Sequence, residues 1–231
     1  MDFNLELKKL EIELSPEQLN KFDVYYNDLI EVNKYMNLTA ITDHDEVYIK
    51  HFYDSLTIKL AINNNDEFSL CDVGSGAGFP SIPYSIYNNK CNVTIIDSLN
   101  KRINFLNDLV KKLELNNVKA IHSRAEDFAV SNRESFDYVT ARALARLNVL
   151  VELTLPLVKV GGKLIAMKGD SKEELDEAQN AIKTLGGKVI DIIELDLPNN
   201  LGHRSIVVIE KISKTPNKYP RLFAKIKERP L

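Results

Sequence analysis

The strongest chemical signal in the chain is the segment Leu70-Cys71-Asp72-Val73-Gly74-Ser75-Gly76-Ala77-Gly78-Phe79-Pro80. A buried strand pattern ends in three glycines separated by single small residues, and a helix follows. Such a turn lets backbone approach a ligand closely, because glycine carries no Cβ and reaches positive φ without a steric penalty. A dinucleotide fingerprint needs glycines at 74, 76 and 79, the last for close helix packing, with pyrophosphate on the helix N-terminus. Position 79 is Phe. The spacing present is G-x-G-x-G with Asp72 two residues ahead, which suits S-adenosylmethionine, a cofactor with an amino-acid tail and no phosphate. Gly74, Gly76 and Gly78 are expected to make room for it. A purely structural glycine turn is the weaker reading, since later residues fall where that cofactor needs them.

Asp97 ends the next strand pattern, where a carboxylate can accept hydrogen bonds from both ribose hydroxyls. It could instead cap the following helix, a role for which Ser98 is an equal candidate. After the third strand, Ser123-Arg124-Ala125-Glu126-Asp127-Phe128 brings backbone and an acidic group to the adenine edge, with Glu126 and Asp127 tied for the role. The fourth strand delivers Arg142 to the crevice beyond the strand ends. Arg146, expected one helical turn later, could line the same groove and meet phosphate, a base edge or the cofactor carboxylate. The plainer alternative for Arg142 is a pairing with a surface acid.

Absences inform as well. The stretch Thr140 to Arg146 holds no Asn/Asp-Pro-Pro-aromatic turn for exocyclic amine methylation and no cysteine to activate a ring carbon. An acceptor with a free lone pair, such as guanine N7, fits this gap, because in-line placement then matters more than acid/base chemistry. Phe79 and Arg142 are the candidates to hold a splayed base. Upstream, His51, Asp54 and Ser55 at i, i+3 and i+4 form one polar helical face, read as a hydrogen-bonded lid; a metal site or hydrolytic pair lacks its partners.

These residues require a scaffold. Ser15-Pro16-Glu17-Gln18 is a capping-box helix start, followed by Leu19, Phe22, Tyr25, Tyr26, Leu29 and Ile30 at helical spacing. A second helix is expected from Thr42 or Asp43 to about Ala61, and Asn63-Asn64-Asn65-Asp66 marks a turn. Strands are expected near 68–73, 92–97, 118–122, 136–141, 162–168, 188–194 and 204–210, with a helix over 101–115. Pro156 and Gly161-Gly162 bound the approach to the fifth strand. Alternation of strand and helix implies an α/β fold: a seven-stranded, mostly parallel sheet with helices on both faces and a helical N-terminal extension. The last strand follows without a helix, which predicts a final antiparallel hairpin. The implied division is a helical segment over 1–62, a cofactor-binding domain over 63–212 and a basic tail over 213–231.

A chain of 231 residues with 44% hydrophobic content suits one core with an attachment. No run approaches a membrane span and the N-terminus alternates charge with apolar residues, so a cytoplasmic protein is expected. Two cysteines cannot build a disulfide framework or metal cluster, and no metal is expected. The net charge of -3 argues mildly against a polyanionic partner. Its distribution argues otherwise: Lys211, Lys214, Lys218, Arg221, Lys225, Lys227 and Arg229 are opposed only by Glu228. A solvated terminus that touches nothing is the alternative.

Taken together, Asn37-Leu38-Thr39, His51-x-x-Asp54-Ser55, the glycine segment, Asp97-Ser98-Leu99-x-Lys101-Arg102, Ser123-Arg124-Ala125-Glu126 and Ala141-Arg142-Ala143 resemble the RsmG family, also called glucose-inhibited division protein B, over about residues 20 to 211. The resemblance implies a Rossmann-like class I methyltransferase fold and methylation of N7 of guanine 527 in 16S ribosomal RNA. It also implies S-adenosylmethionine contacts at Gly74, Phe79, Ala125, Glu126 and Arg142, which separates Glu126 from Asp127. A monomer acting on 16S rRNA or the 30S subunit is expected, with Arg146, Lys168, Lys218 and Arg221 meeting the RNA. Family tails often read Lys-Tyr-Pro-Arg-Lys-Ala-Gly, whereas here Lys218-Tyr219-Pro220-Arg221 continues into Leu222-Phe223-Ala224. A small-molecule or protein methyltransferase, and a non-catalytic S-adenosylmethionine-sensing module, are the alternatives.

Overall fold

The computed structural model describes residues 2–62 and 66–231. The turn expected over Asn63-Asn64-Asn65-Asp66 falls mostly on residues outside that set. The chain opens with a short helix, α1 (Phe3–Leu7), and a long one, α2 (Pro16–Met36). Both halves of the expected capping box form: the Gln18 N–H donates to Ser15 Oγ at 3.2 Å, and the Ser15 N–H donates to Gln18 Oε1 at 2.9 Å. Asn37, with φ 51°, ends α2 in the left-handed conformation that closes many helices. Phe22, Tyr25 and Leu29 are fully buried along one face, each contributing roughly 1.5–3 kcal/mol of burial.

The second expected helix is present but irregular. It opens as α3 (His44–Val47) behind the Asp43 cap, widens into a π turn (Tyr48–Tyr53), returns as α4 (Asp54–Leu56) and tightens into a 3-10 turn (Thr57–Ala61). Tyr48, Ile49, Phe52 and Tyr53 of the π turn are buried, a broader apolar arc than an α-helical stripe usually turns inward. Segments of this kind occur often at functional sites.

Seven strands form one sheet: β1 (Phe68–Val73), β2 (Cys91–Asp97), β3 (Val118–His122), β4 (Phe136–Arg142), β5 (Val158–Lys168), β6 (Gly187–Asp196) and β7 (His203–Lys211). Their order is β3-β2-β1-β4-β5-β7-β6; the first five are parallel, and β7 runs antiparallel between β5 and β6. The expected fold class and closing hairpin are both present. One face is covered by α2, the irregular helix, α5 (Ser81–Tyr87) and α6 (Asn100–Lys112). The other carries α7 (Ala125–Ser131), α8 (Leu147–Thr154) and α9 (Lys172–Thr184).

The fifth strand begins at Val158, earlier than the sequence suggests, with Gly161-Gly162 inside it rather than before it. Phe136 pairs with Val158 and Tyr138 with Lys163, so β5 bulges there, and Gly161 at φ 88° takes the left-handed backbone the bulge needs. Beyond β7, Arg133 donates to the carbonyl oxygens of Thr215, Pro216 and Tyr219, tying the tail down. The tail ends in α10 (Phe223–Glu228), whose Ile226 is buried against Val149 and Leu153 of α8. Strand order reverses between β1 and β4, which places the ligand crevice of this fold class over their carboxyl ends.

Candidate active site

Over the ends of β1 to β3 opens a cavity of about 600 Å³. Its walls include Gly74, Asp97, Ala125, Glu126, Leu144 and Phe223. Asp97 is buried and organises the floor: its carboxylate accepts the Gly76 N–H at 3.3 Å and the Leu99 N–H at 2.9 Å, with Arg102 Nη1 at 3.4 Å. Asp97 therefore ties the glycine turn to the second strand while lining the cavity. Gly76 has φ 64°, and a Cβ built there meets no atom within 4 Å. At Gly74 a Cβ would lie 2.5 Å from Leu144 Cδ1, and at Gly78 it would lie 2.8 Å from the Tyr25 hydroxyl. Open space thus fronts Gly76, whereas its neighbours are small because protein atoms press on them.

Beneath the turn, Asp72 is fully buried; its Oδ2 accepts the Ser81 N–H at 3.3 Å, while Oδ1 and the Ser75 hydroxyl have no partner among the described residues. Burial pushes the Asp72 carboxyl up to about 7, against the opposing pull of Ser81, through its side chain and its N–H, and of Arg142. Buried acceptors without partners beside an open backbone cradle fit a ligand that brings its own donors, as the ammonium of S-adenosylmethionine does.

A second cavity, of about 340 Å³, lies at the end of β4 and β5. Ala143, at φ 54°, lines both cavities. Arg142 reaches into the second one, donating to Asp54 Oδ2 at 3.2 Å and to Lys50 O at 3.3 Å. Arg204 donates from Nε to the other oxygen of Asp54 at 3.0 Å, so one buried carboxylate is clasped by two guanidiniums. His51 stacks on Phe79 at 4.6 Å, and its Nε2 lies 2.7 Å from Thr39 Oγ1. Burial first, and the Arg142 charge second, hold the His51 imidazole down to about 3, so it is neutral at physiological pH. Tyr25 also stacks on Phe79, at 5.5 Å, and donates its hydroxyl to Ala77 O at 2.6 Å, anchoring the glycine turn to α2.

Residues 18–203 match the family described as rRNA small subunit methyltransferase G. Curated relatives of that name are 53% identical over 220 residues in Staphylococcus carnosus, covering 94% of this chain and 92% of the relative. In Lactobacillus acidophilus the identity is 49% over 235 residues, covering 100% and 98%. The chain belongs to the rRNA small subunit methyltransferase G family. Solved structures at 20% identity share the fold: a SAM-dependent methyltransferase from Aquifex aeolicus gives a TM-score of 0.51, covering 72% of this chain and 93% of that one. The M. jannaschii TYW2 structure, solved in complex with AdoMet, gives 0.53 over 67% and 74%.

Within the family fold, Gly74, Asp97, Ala125 and Glu126 gather in the first cavity and Arg142 and Lys168 in the second. Glu126 is buried and Asp127 exposed. Phe79 does not offer a face to a splayed base: it is 5% exposed, engaged by His51 and Tyr25, with the Arg142 guanidinium 4.8 Å from its centroid. Arg142 pairs with a buried acid rather than a surface one. Arg146 does not follow it by a helical turn, because β4 ends at Arg142 and α8 starts only at Leu147. It forms a two-point pair with Glu177 at 3.1 and 2.8 Å. Lys211, counted with the basic tail, is fully buried, donating to Leu155 O and Thr215 Oγ1; burial lowers its ammonium to about 8. Lys218 is exposed, and Arg221 forms a two-point pair with buried Glu152. Sequence reasoning missed Arg204, Glu174 and Phe223, which no local motif marks. Among the described residues, no group of three or more His, Cys, Asp or Glu is placed to hold a metal, and no helix is long and apolar enough to cross a membrane.

Proposed function

We propose that the chain methylates N7 of guanine 527 in 16S rRNA, as a cytoplasmic monomer acting on the RNA or the 30S subunit. The observation that carries this reading is the junction of two cavities at Ala143, one backbone-lined and one cationic, at the switch point of the sheet. Gly74 and Gly76 face the cofactor cradle while Gly78 lets the turn pack against Tyr25 and Ile82; Asp97, Ala125 and Glu126 hold the nucleoside, and Asp72 accepts from the ammonium. Arg142 and Ala143 stand where cradle and acceptor cavity meet, with Phe79 packed behind the Arg142 guanidinium. S-adenosylmethionine supplies a methyl on a sulfonium, an electrophile that needs no activation by the protein.

Guanine N7 has a lone pair and no proton, so the residues around it have only to place the base. The second cavity suits that role, because Asp54 is doubly paired and His51 is neutral and stacked, leaving neither poised as a general base. Lys218, with Arg146, Lys168 and Arg221 at their acid-paired or exposed positions, is assigned to the RNA face. Residues 1–62, 63–212 and 213–231 are read as support, catalytic domain and RNA-facing tail.

The test is transfer of labelled methyl from S-adenosylmethionine to 30S particles and to free 16S RNA, both from cells lacking the endogenous enzyme. Borohydride and aniline cleavage maps N7-methylguanine, and a single cleavage at the target is expected. Cofactor binding without transfer to either RNA would move the assignment to a small-molecule enzyme or a regulatory module.

A further inference from the structure

Guanine and adenine both present N7 as an acceptor. Placing an N7 before a methyl group therefore does not choose between them, and the choice has to be read elsewhere on the base. The informative edge begins at position 6. Guanine offers an O6 acceptor and then an N1–H donor, whereas adenine offers an N6 amine donor and then a bare N1. A reader of guanine needs a donor set directly beside an acceptor-only oxygen.

Lys168 and Glu174 are such a pair, and both line the acceptor cavity. Lys168 Nζ lies 2.7 Å from Glu174 Oε2 and donates to Ala145 O at 2.7 Å; its side chain is only 8% exposed. An ammonium has three N–H bonds, so one remains after those two contacts. Glu174 Oε2 also accepts the Leu147 N–H at 2.7 Å, which leaves Oε1 outside both contacts. Asp54, the other carboxylate in this cavity, has both oxygens committed to arginines. The pair is fixed by backbone at each end, to Ala145 and Leu147, so its donor and acceptor are held in place before any base arrives. Ala143, where the cavity meets the cofactor cradle, marks the side toward which N7, the neighbour of O6, has to point.

We propose that Lys168 and Glu174 read the acceptor base, Lys168 donating to O6 and Glu174 Oε1 accepting from N1–H, so that the enzyme selects guanine. The inference rests on the reading that the enzyme methylates a guanine N7 of small-subunit RNA. It gives Lys168 a base to read where charge alone suggests a phosphate.

The test uses the full chain and 30S particles carrying either guanine or adenine at the target position, prepared without the endogenous enzyme. Wild-type transfer to the guanine particles checks the function reading by itself; no transfer there sinks that reading and this inference together. Glu174→Gln keeps a carbonyl oxygen for the Leu147 N–H and replaces the second oxygen with an amide that opposes N1–H and suits a bare N1. Guanine transfer is expected to fall about tenfold or more. The guanine-to-adenine ratio should fall by at least as much, with cofactor affinity within about twofold of wild type. Lys168→Met should lower the same ratio by removing the O6 donor, and it decides the matter alone if Glu174→Gln does not fold. Proportional loss on both particles, leaving the ratio unchanged, makes the pair a purely structural brace and overturns the proposal, as does undiminished guanine transfer.

Discussion

The two cavities that meet at Ala143 are built by different means. The first cavity, proposed to hold the cofactor, is mostly backbone and strand-tip residues: a glycine turn after β1, Asp97 at the end of β2, and Ala125-Glu126 just after β3. Each part sits at or just beyond the carboxyl end of a parallel strand. The second cavity, proposed for the acceptor base, is instead a network of charged side chains drawn from distant elements. Asp54 and Arg204, which touch at 3.0 Å, stand 150 positions apart in sequence. A backbone-shaped site tolerates change poorly where a Cβ would intrude, and a charge-balanced site where one partner is removed.

The largest effect should separate the cavities outright. Gly76→Val puts a branched side chain into the open space before the turn, at a φ that such residues avoid. Cofactor binding by calorimetry should be lost while the far-ultraviolet circular dichroism stays native; retained affinity would dissolve the cradle assignment. Next comes Asp54→Ala, which leaves Arg142 and Arg204 facing each other without their shared carboxylate. Breaking a buried pair typically costs about 3–5 kcal/mol, so the denaturant midpoint should drop sharply. A midpoint near wild type would mean that water compensates the two guanidiniums.

A smaller effect is expected from Phe223→Ala, which removes one wall of the cofactor cavity. A lost aromatic contact of about 1 kcal/mol predicts roughly fivefold weaker cofactor binding, with little change in Tm because the ring is 36% exposed.

The subtlest comparison is titration, with one group in each region. His51 is held down to about 3 from 6.5, so between those values the unfolded chain binds the extra proton and stability rises with pH. Asp72 is pushed up to about 7 from 3.8, so there the folded chain binds the extra proton and stability falls with pH. From about pH 4 to 6.5 the two slopes oppose each other. Denaturant unfolding should show a falling slope in His51→Gln and a rising one in Asp72→Asn, each differing from wild type by up to one proton. Parallel slopes in all three proteins would mean that neither group carries its shift.

The contrast between the cavities also explains what is legible in the sequence. The sheet, its closing hairpin and the capping box of α2 are local or periodic patterns, and the structure contains all three. The glycine turn and Asp97 announce themselves because a ligand cradle at a strand end needs particular residues at particular spacings. The π turn stays hidden, since an apolar helical face from Val47 to Leu56 reads as an ordinary helix until it must bury an unusually broad arc. Arg146 departs from its expected place because a single left-handed residue, Ala143, breaks the helical turn. Arg204 and Glu174 carry no signal of their own; only the antiparallel insertion of β7 beside β5 and the return of α9 bring them to Asp54 and Lys168.

The Arg133 and Glu152 clamps hold the tail so that Phe223 walls the cofactor cavity and its N–H donates to Glu126 at 3.3 Å. That wall is translated after all seven strands. During synthesis the side of the cavity made by Phe223 is therefore the last to be supplied. A chain ended just past β7 would lack this wall and would also leave the buried Glu152 carboxylate without Arg221, so the segment that closes the cavity is also the one that neutralises a buried charge of the core.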